Sequence, residues 1–337
     1  MKLGKTIFKK ILKKGRDLYI NIMYSWFNVI PKKTKTTKGL RIIVYHGICE
    51  KDPHKFNSRF ITKQQFESEL ILIKKLYNPI SFEDLAGNRL SSEKLNVLVT
   101  FDDGLKNNYQ LALPLLKEHH IPAIFFVTGC NTLKKPYLFN DLTDIIPFDG
   151  SSKITIEDEV FERKKIFLHY RYVSEKGILL AKKYHNSSYH KRHQIVEYLL
   201  ETISRDVFKE HKLYYELMSD DDIKEIAQEA LFKLGMHGFY HTDLSCLDEL
   251  EVNAEIEKSI HYLSSVTNQK MDTIAFPYGN CNANLINVCE RNDVKHMFLT
   301  ENALESNQTG KLYVRHTINP FVSPILQMYY LAKNNYE

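Results

Sequence analysis

Residues 97–109, VLVTFDDGLKNNY, contain the pattern that decides the fold. A run of apolar and β-branched residues ends in two adjacent carboxylates, Asp102 and Asp103, and Gly104 follows them. A continuous apolar run is typical of a strand that is buried on both faces, as in parallel sheets covered by helices. The two aspartates therefore follow the carboxyl end of a buried strand, where α/β barrels and open α/β sheets build their sites.

Similar strand patterns alternate with helical patterns along the chain. We predict strands in LRIIVYHGI (40–48), PAIFFVTG (122–129), DTIAFPYGN (272–280), HMFLT (296–300) and LYVRHTI (312–318). We predict helices in TKQQFESELILIKKLY (62–77), NNYQLALPLLKEHHI (107–121) and DELEVNAEIEKSIHYLSSV (248–266). Continuous apolar strands that alternate with helices indicate an α/β fold with a parallel sheet.

One long stretch interrupts this alternation of strands and helices. Residues 131–233 are charged and rich in tyrosine, and they contain helical patterns such as HQIVEYLLETISRDVF (193–208). We predict that they form a helical insertion within a domain of residues 39–337, and not an independent domain.

The first 38 residues differ from the rest, because they hold eleven Lys or Arg residues and a single acid, Asp17. Their most apolar stretch is too short for a bilayer span, and polar residues interrupt it, unlike the apolar region of a signal peptide. Apolar residues recur at helical spacing, which predicts a basic amphipathic helix followed by a linker, PKKTKTTKG (31–39): Phe8, Ile11, Leu18, Ile22 and Val29. Such a helix lies in an anionic membrane interface or docks on its own domain or a partner, and both alternatives stay open.

Composition excludes two classes of function. The net charge of +5 comes from residues 1–38, and the slightly acidic remainder argues against a nucleic-acid groove. The five cysteines are odd in number and form no CxxC pair, which argues against a disulfide framework and a structural zinc knuckle. We therefore expect a protein of the reducing cytoplasm, placed at the inner face of the membrane if its N-terminal helix binds lipid.

Three short motifs carry chemistry. Adjacent ionised carboxylates such as Asp102 and Asp103 repel each other unless a cation or a proton compensates, although alone they also fit an acidic turn that caps a helix. In HGFYH, His237 and His241 can converge on one ion if the backbone is helical there, although 14 histidines also make chance pairs common. AFPYG (275–279) predicts an unusual turn at a strand end that can present a backbone N–H.

Together these motifs indicate metal-assisted hydrolysis. One carboxylate and two imidazoles leave coordination positions open for water, as in a catalytic zinc site. The second carboxylate is then free to act as a base.

The motifs LVTFDDG, HGFYHTDLSCL and FPYG, in this order, resemble those of the polysaccharide deacetylases, the fourth carbohydrate esterase family. VYHGI and PAIFFVTG share the resemblance, which spans roughly residues 40–318 apart from the insertion and is strongest to the branch that modifies surface polysaccharides. The resemblance implies a distorted (β/α)7 barrel and metal-dependent removal of an acyl group from an N-acylated sugar.

Transferred by position, the resemblance implies a role for each motif residue. Asp102 is expected to be the general base, and Asp103, His237 and His241 are expected to bind a divalent metal, zinc first and cobalt or manganese as alternatives. The backbone N–H of Tyr278 is expected to stabilise the oxyanion together with the metal.

The chain departs from the family pattern in two places. Many members carry an arginine that orients the base where this chain has Ala275, and Arg315 is our candidate for that guanidinium from another strand. The late leucine-x-histidine motif that supplies the general acid is not cleanly present, so His316 and His46 are our candidates for it.

The favoured function is N-deacetylation of an amino sugar during surface polysaccharide or lipopolysaccharide biosynthesis. A deformylase or deacetylase of a lipid-linked amino sugar is the nearest alternative, and the basic N-terminal helix favours it. A catalytically silent glycan-binding module is the third, but a binder need not keep a base beside a metal triad. The expected partners are therefore an N-acylated glycan or a lipid-linked sugar.

Overall fold

The computed structural model describes residues 2–300 and 311–333 of the 337-residue chain. The side chains of residues 2–11, 207 and 311 also lie outside the described part. The predicted apolar positions Phe8 and Ile11 fall among them.

The strands form a closed parallel barrel with two small sheets beside it. Seven strands close the barrel in the order β1, β5, β6, β10, β11, β12 and β13, and β13 pairs back with β1. The strands of the described residues are β1 (Gly39–Tyr45), β2 (Gly47–Cys49), β3 (Phe60–Thr62), β4 (Asn78–Pro79), β5 (Leu95–Phe101), β6 (Ala123–Val127), β7 (Lys153–Ile156), β8 (Glu159–Ile166), β9 (His169–Ser174), β10 (Phe232–Met236), β11 (Thr273–Ala275), β12 (His296–Leu299) and β13 (Lys311–Thr317). The predicted (β/α)7 barrel is confirmed.

Helices surround the barrel. The helices are α1 (Lys2–Phe27), α2 (Lys32–Thr36), α3 (Lys63–Leu76), α4 (Phe82–Ala86), α5 (Leu113–His119), α6 (Phe139–Asp149), α7 (Leu180–Lys183), α8 (Tyr189–Glu201), α9 (Arg205–Glu210), α10 (Asp220–Gln228), α11 (Glu249–Thr267), α12 (Ala283–Arg291) and α13 (Pro324–Lys333). Neighbouring helices pack side by side, with α13 against α3, α3 against α5, α10 against α11 and α11 against α12. All seven residues of β5 are buried, as expected of a barrel strand beneath helices.

The insertion differs from its prediction in content and in extent. Between α6 and α7, β7, β8 and β9 form an antiparallel sheet, so the prediction of a helical insertion is wrong there. The side chains of β7 alternate between exposed and buried, and Glu157 and Asp158 form its turn to β8 with positive φ. The predicted boundary at residue 233 is also too late, because Phe232 and Lys233 already pair with Ala123 and Ile124 of the barrel.

The N-terminal segment packs on the barrel domain. Ile20 of α1 and Ile30 belong to the main hydrophobic core, and α1 and α2 both contact α13. The prediction of a linker over residues 31–39 is wrong in part, because Lys32–Thr36 form a helix in which Thr34 is buried. None of the helices in the described part combines the length and the apolarity that crossing a membrane requires.

Candidate active site

A cleft of about 760 Å³ opens at the carboxyl ends of the barrel strands. The insertion supplies one of its walls. The barrel side contributes His46, Arg59, Asp102, Asp103, His237, His241, Tyr278, Gly279, Thr300 and Thr317, and residues 140–186 contribute Asn140, Thr143, Asp144, Leu179, Ala181, Lys182, His185 and Asn186. The cleft therefore holds polar and ionisable groups from both parts of the chain.

Asp102 is paired with a guanidinium from the last barrel strand. Arg315 Nη1 and Nη2 donate to the two carboxylate oxygens of Asp102 at 2.6 and 2.7 Å, and both side chains are buried. Burial alone would raise the pKa of Asp102, but Arg315 and His237 outweigh burial and hold that pKa below its ordinary value. Arg315 thus occupies the place that the sequence analysis expected, facing a buried and ionised carboxylate.

Asp103, His237 and His241 bring their donor atoms together. Asp103 Oδ1 lies 3.2 Å from His241 Nε2 and 3.5 Å from His237 Nε2, and all three side chains are buried. Two ligands at about 2.1 Å from one tetrahedral ion lie roughly 3.4 Å apart, so these spacings fit a zinc-sized cation. His237 Nδ1 lies 2.9 Å from the Ala275 carbonyl oxygen, and this contact leaves Nε2 free for a metal.

The charge states of these groups also suit a metal site. Burial would raise the pKa of Asp103, but hydrogen bonds with His237 and His241 hold that pKa well below its ordinary value. Burial lowers the pKa of His241 to about 4, so its imidazole is neutral at pH 7. Burial would lower the pKa of His237 too, but Asp102 and Asp103 raise it instead. Metal binding would displace a proton from His237, as is usual for histidine ligands.

The segment between the two histidines is a loop. The spacing of the two histidines predicts a helical turn that brings them together, but residues 237–241 are not helical. Instead the chain turns through Gly238 at φ 68° and His241 at φ 52°. The left-handed conformation is costly for histidine, so neighbouring contacts must hold it in place.

Two buried charged side chains, Arg192 of α8 and Glu255 of α11, clamp this loop. Arg192 donates to the His241 carbonyl oxygen at 3.0 Å and to Thr242 Oγ1 at 2.6 Å. Glu255 accepts the backbone N–H groups of residues 239 and 240 at 2.9 and 3.0 Å. Neither residue is predicted from the sequence, because a charged residue within a helical pattern usually indicates a solvated face.

Tyr278 lies in a tight turn after β11, which the Gly279 N–H closes by donating to the Phe276 carbonyl oxygen at 2.9 Å. Its φ is 62°, and a Cβ on the following Gly279 would overlap Thr300. The Tyr278 ring lies with its centroid 5.1 Å from that of His241, beside the triad. In such a turn the N–H of the third residue has no acceptor within the turn, so Tyr278 can present its N–H to a ligand.

Arg59 is a further site residue that the sequence analysis missed. Its Nη1 donates to Asp103 Oδ2 at 3.3 Å, and its Nη2 contacts Asp141 of the insertion helix α6. Burial raises the pKa of Asp141 to about 7. Arg59 lies in a loop before β3 and no sequence pattern surrounds it, so only the folded structure reveals this bridge.

The two candidates for the general acid, His46 and His316, lie in different parts of the structure. His46 lines the cleft, and burial lowers its pKa. His316 follows Arg315 on β13, so its side chain points to the other face of the strand, where Arg41 lies near enough to lower its pKa further. Of the two, the structure brings only His46 into the cleft.

Comparison with known proteins identifies relatives of the chain. A family model described as polysaccharide deacetylase matches residues 90–145 and 183–297, just over half of the chain. The putative polysaccharide deacetylase YxkH of Bacillus subtilis is 26% identical over 182 residues, which is 52% of this chain and 62% of that protein. The match thus spans less than two thirds of the length of that curated relative.

Solved structures share the fold. A deacetylase of Streptococcus pyogenes, PplD, solved in complex with acetate, aligns with a TM-score of 0.54 and 20% identity over 87% of this chain and 99% of that chain. IcaB from Ammonifex degensii aligns with a TM-score of 0.54 and 17% identity over 88% and 98% of the two chains.

Proposed function

Because the chain belongs to the polysaccharide deacetylase family, we propose that it hydrolyses the N-acetyl group of an amino sugar. The observation that carries this proposal is the buried, Arg315-paired carboxylate of Asp102 beside the triad of Asp103, His237 and His241. Water attacks the amide carbonyl, the C–N bond breaks, and the products are a free amino sugar and acetate.

Asp103, His237 and His241 would hold the divalent cation, zinc in the first instance. Such a cation, when bound, polarises the amide carbonyl and makes water more acidic. Asp102 takes the proton of the attacking water, because its pKa is low enough for it to be ionised at neutral pH. The bidentate contact with Arg315 keeps both carboxylate oxygens of Asp102 in place.

Two further groups complete the reaction. The N–H of Tyr278 donates to the carbonyl oxygen as negative charge develops on it, and loss of such a donor typically costs roughly a hundredfold in rate. The proton that Asp102 takes from the water passes to the leaving amine, and we assign this transfer to His46, because His46 lies in the cleft and His316 does not. A silent binding module would need neither the base nor the donor, so these features favour catalysis over binding alone.

We place the reaction in surface polysaccharide or lipopolysaccharide biosynthesis, on the cytoplasmic side of the membrane. Support for a reducing compartment comes from the five cysteines, all of which are free. A lipid-linked amino sugar, N-acetylated or N-formylated, is the second candidate substrate. The apolar residues that α1 leaves exposed favour it.

The test uses the purified full chain, stripped with a chelator and reloaded with zinc, cobalt or manganese. Acetate and formate release are measured from a soluble N-acetylated oligosaccharide and from lipid-linked N-acetyl and N-formyl sugars. We expect release only after metal is restored, and a large loss of metal content in His237→Ala. Metal-independent release would contradict the proposed chemistry, and full metal content in His237→Ala would remove His237 from the site.

A further inference from the structure

One face of helix α1 docks on the barrel domain. Ile20 is 5% exposed. The Tyr330 hydroxyl of α13 donates to Asp17 Oδ2 at 2.5 Å, and the Ser323 hydroxyl donates to Asn21. Docking on the protein's own domain, one of the alternatives left open by the sequence, therefore occurs on this face.

The other face of α1 carries a row of exposed apolar side chains, which we call the apolar stripe. Its members are Leu12, Leu18, Tyr19, Ile22 and Trp26, which are 43–81% exposed. Successive residues of an α-helix are rotated by about 100°, so these five lie within about a third of the helix circumference, opposite the docked face. No other part of the chain that the structure describes covers them.

Exposed lysines lie on α1 and on the following helix, α2. Lys14 of α1 is exposed, as are Lys32, Lys33 and Lys35 of α2, and within residues 2–300 and 311–333 these four make no ion pair. An apolar helix face with unpaired lysines on the same helix and on the next helix of the chain is complementary to an anionic lipid surface. A second copy of the chain fits less well, because it would bring like charges together.

We propose that the apolar stripe docks on an anionic lipid bilayer, with Trp26 in the headgroup region and the lysines on lipid phosphates. Helix α1 runs antiparallel to α13, since Asp17 meets Tyr330 and Asn21 meets Ser323. Because α13 begins shortly after β13 ends, the Trp26 end of α1 lies toward the barrel end that holds the cleft. Docking would thus bring the cleft near lipid headgroups, and only this last step rests on the proposed function.

The test measures sedimentation of the full chain with vesicles of phosphatidylglycerol or of phosphatidylcholine. We expect binding to the anionic vesicles only, weakened by salt. The double variant Ile22→Glu/Trp26→Glu should bind about tenfold more weakly or worse. Lys32→Gln and Lys33→Gln should each weaken binding by about fivefold.

Leu250→Glu is the matched control, because Leu250 is 82% exposed on α11, a helix that packs against α10 and α12. It should bind vesicles as the wild type does. The proposal fails if the wild type does not sediment with anionic vesicles or if the double variant still does. A dimer in sedimentation velocity that the double variant abolishes would make a second copy the occupant of the stripe.

Hydrolysis of a soluble N-acetylated oligosaccharide is measured on the same variants. We expect it to be unchanged in Ile22→Glu/Trp26→Glu. If hydrolysis persists while vesicle binding is absent even in the wild type, the docking proposal alone is wrong. If vesicle binding holds and no substrate is hydrolysed, the proposed function fails and the docking surface stands.

Discussion

The barrel side and the insertion side of the cleft are built differently. On the barrel side, Asp102 and Asp103 directly follow β5, and Tyr278 lies in the turn after β11, so the closed sheet sets their spacing. On the insertion side, Asn140, His185 and Arg192 lie on or beside short helices that pack around a separate hydrophobic cluster. The family model matches on both sides of residues 146–182 but not within them. Asn140, His185 and Arg192 lie within the matched residues, so the family match does not separate the two sides. Under the proposed function, the reacting groups come from the barrel side, and the insertion side shapes and braces the cleft.

The largest effects should follow from changes on the barrel side. Asp103→Asn should lose both metal and activity, because a neutral amide is a poor ligand for zinc. Asp102→Asn should keep metal, because Asp103 and both histidines remain, but should lose roughly a hundred- to ten-thousandfold in kcat. Metal content and kcat of both variants check this prediction.

These variants need a stability control. Removal of the Asp102 charge leaves the buried guanidinium of Arg315 without its partner, and breaking such a pair typically costs about 3–5 kcal/mol. Activity is therefore compared well below the unfolding temperature of each variant. If Asp102→Asn loses the metal and Asp103→Asn keeps it, the two roles are reversed.

An intermediate effect is expected at the insertion residue that reaches the metal site. Arg192→Met removes the donor to the His241 carbonyl oxygen and to Thr242 Oγ1, so the left-handed loop loses a brace. We expect metal affinity to fall by about 10- to 100-fold, as for other residues that support metal ligands. Isothermal titration of zinc into the metal-free protein measures the change.

Lys191→Met is the matched control for Arg192, because Lys191 is the preceding residue of α8 and contacts Glu157 of the insertion. It should bind zinc as the wild type does, and Arg192→Lys should restore part of the lost affinity. Equal zinc affinity in Arg192→Met and in the wild type would show that the barrel side holds the metal unaided.

A smaller effect is expected at the insertion wall. The His185 ring lies with its centroid 4.2 Å from that of Tyr278, and His185 lines the cleft. A hydrogen bond from His185 to a bound sugar would be worth about 0.5–1.5 kcal/mol, so His185→Ala should raise KM by roughly two- to tenfold. Because His185 packs on the ring of Tyr278, whereas the proposed role of Tyr278 uses its backbone N–H, kcat should change less than KM. A loss confined to kcat would instead place His185 in the chemistry.

The smallest effect concerns stability against acid. Arg315 and His237 hold the pKa of Asp102 below its ordinary value in the folded protein, so its charge stabilises the fold above the unfolded pKa, about 3.9. That stabilisation is lost as the pH falls through the lower, folded pKa. In metal-free protein, the difference in unfolding free energy between the wild type and Asp102→Asn should therefore narrow below about pH 4. Urea unfolding at several pH values measures it, and a difference that widens in acid would contradict the assignment.

Sequence patterns predicted the barrel side far better than the insertion side. The apolar run before Asp102 and the turn at Tyr278 are local signals, and both lie where strand ends were expected. The bridge from Arg59 to Asp103 and Asp141 joins residues that are far apart in the chain, and no local pattern marks it. The antiparallel sheet of β7, β8 and β9 did have a signal, the alternation of apolar and polar side chains in β7, which the neighbouring helical patterns obscured.

The pairing of β1 with β13 has a consequence for the order in which the protein is made. Because the chain leaves the ribosome from its N-terminus, β1 must wait for almost the entire domain before Ile42 can pair with Arg315. Pairing of such distant segments is slow, since a large loop entropy is lost before any contact forms. Asp102 and the guanidinium that neutralises it are 213 residues apart, so a chain that ends before β13 would have neither a closed barrel nor a compensated carboxylate. The pairing of Asp102 with Arg315 can therefore be completed only after β13 has left the ribosome.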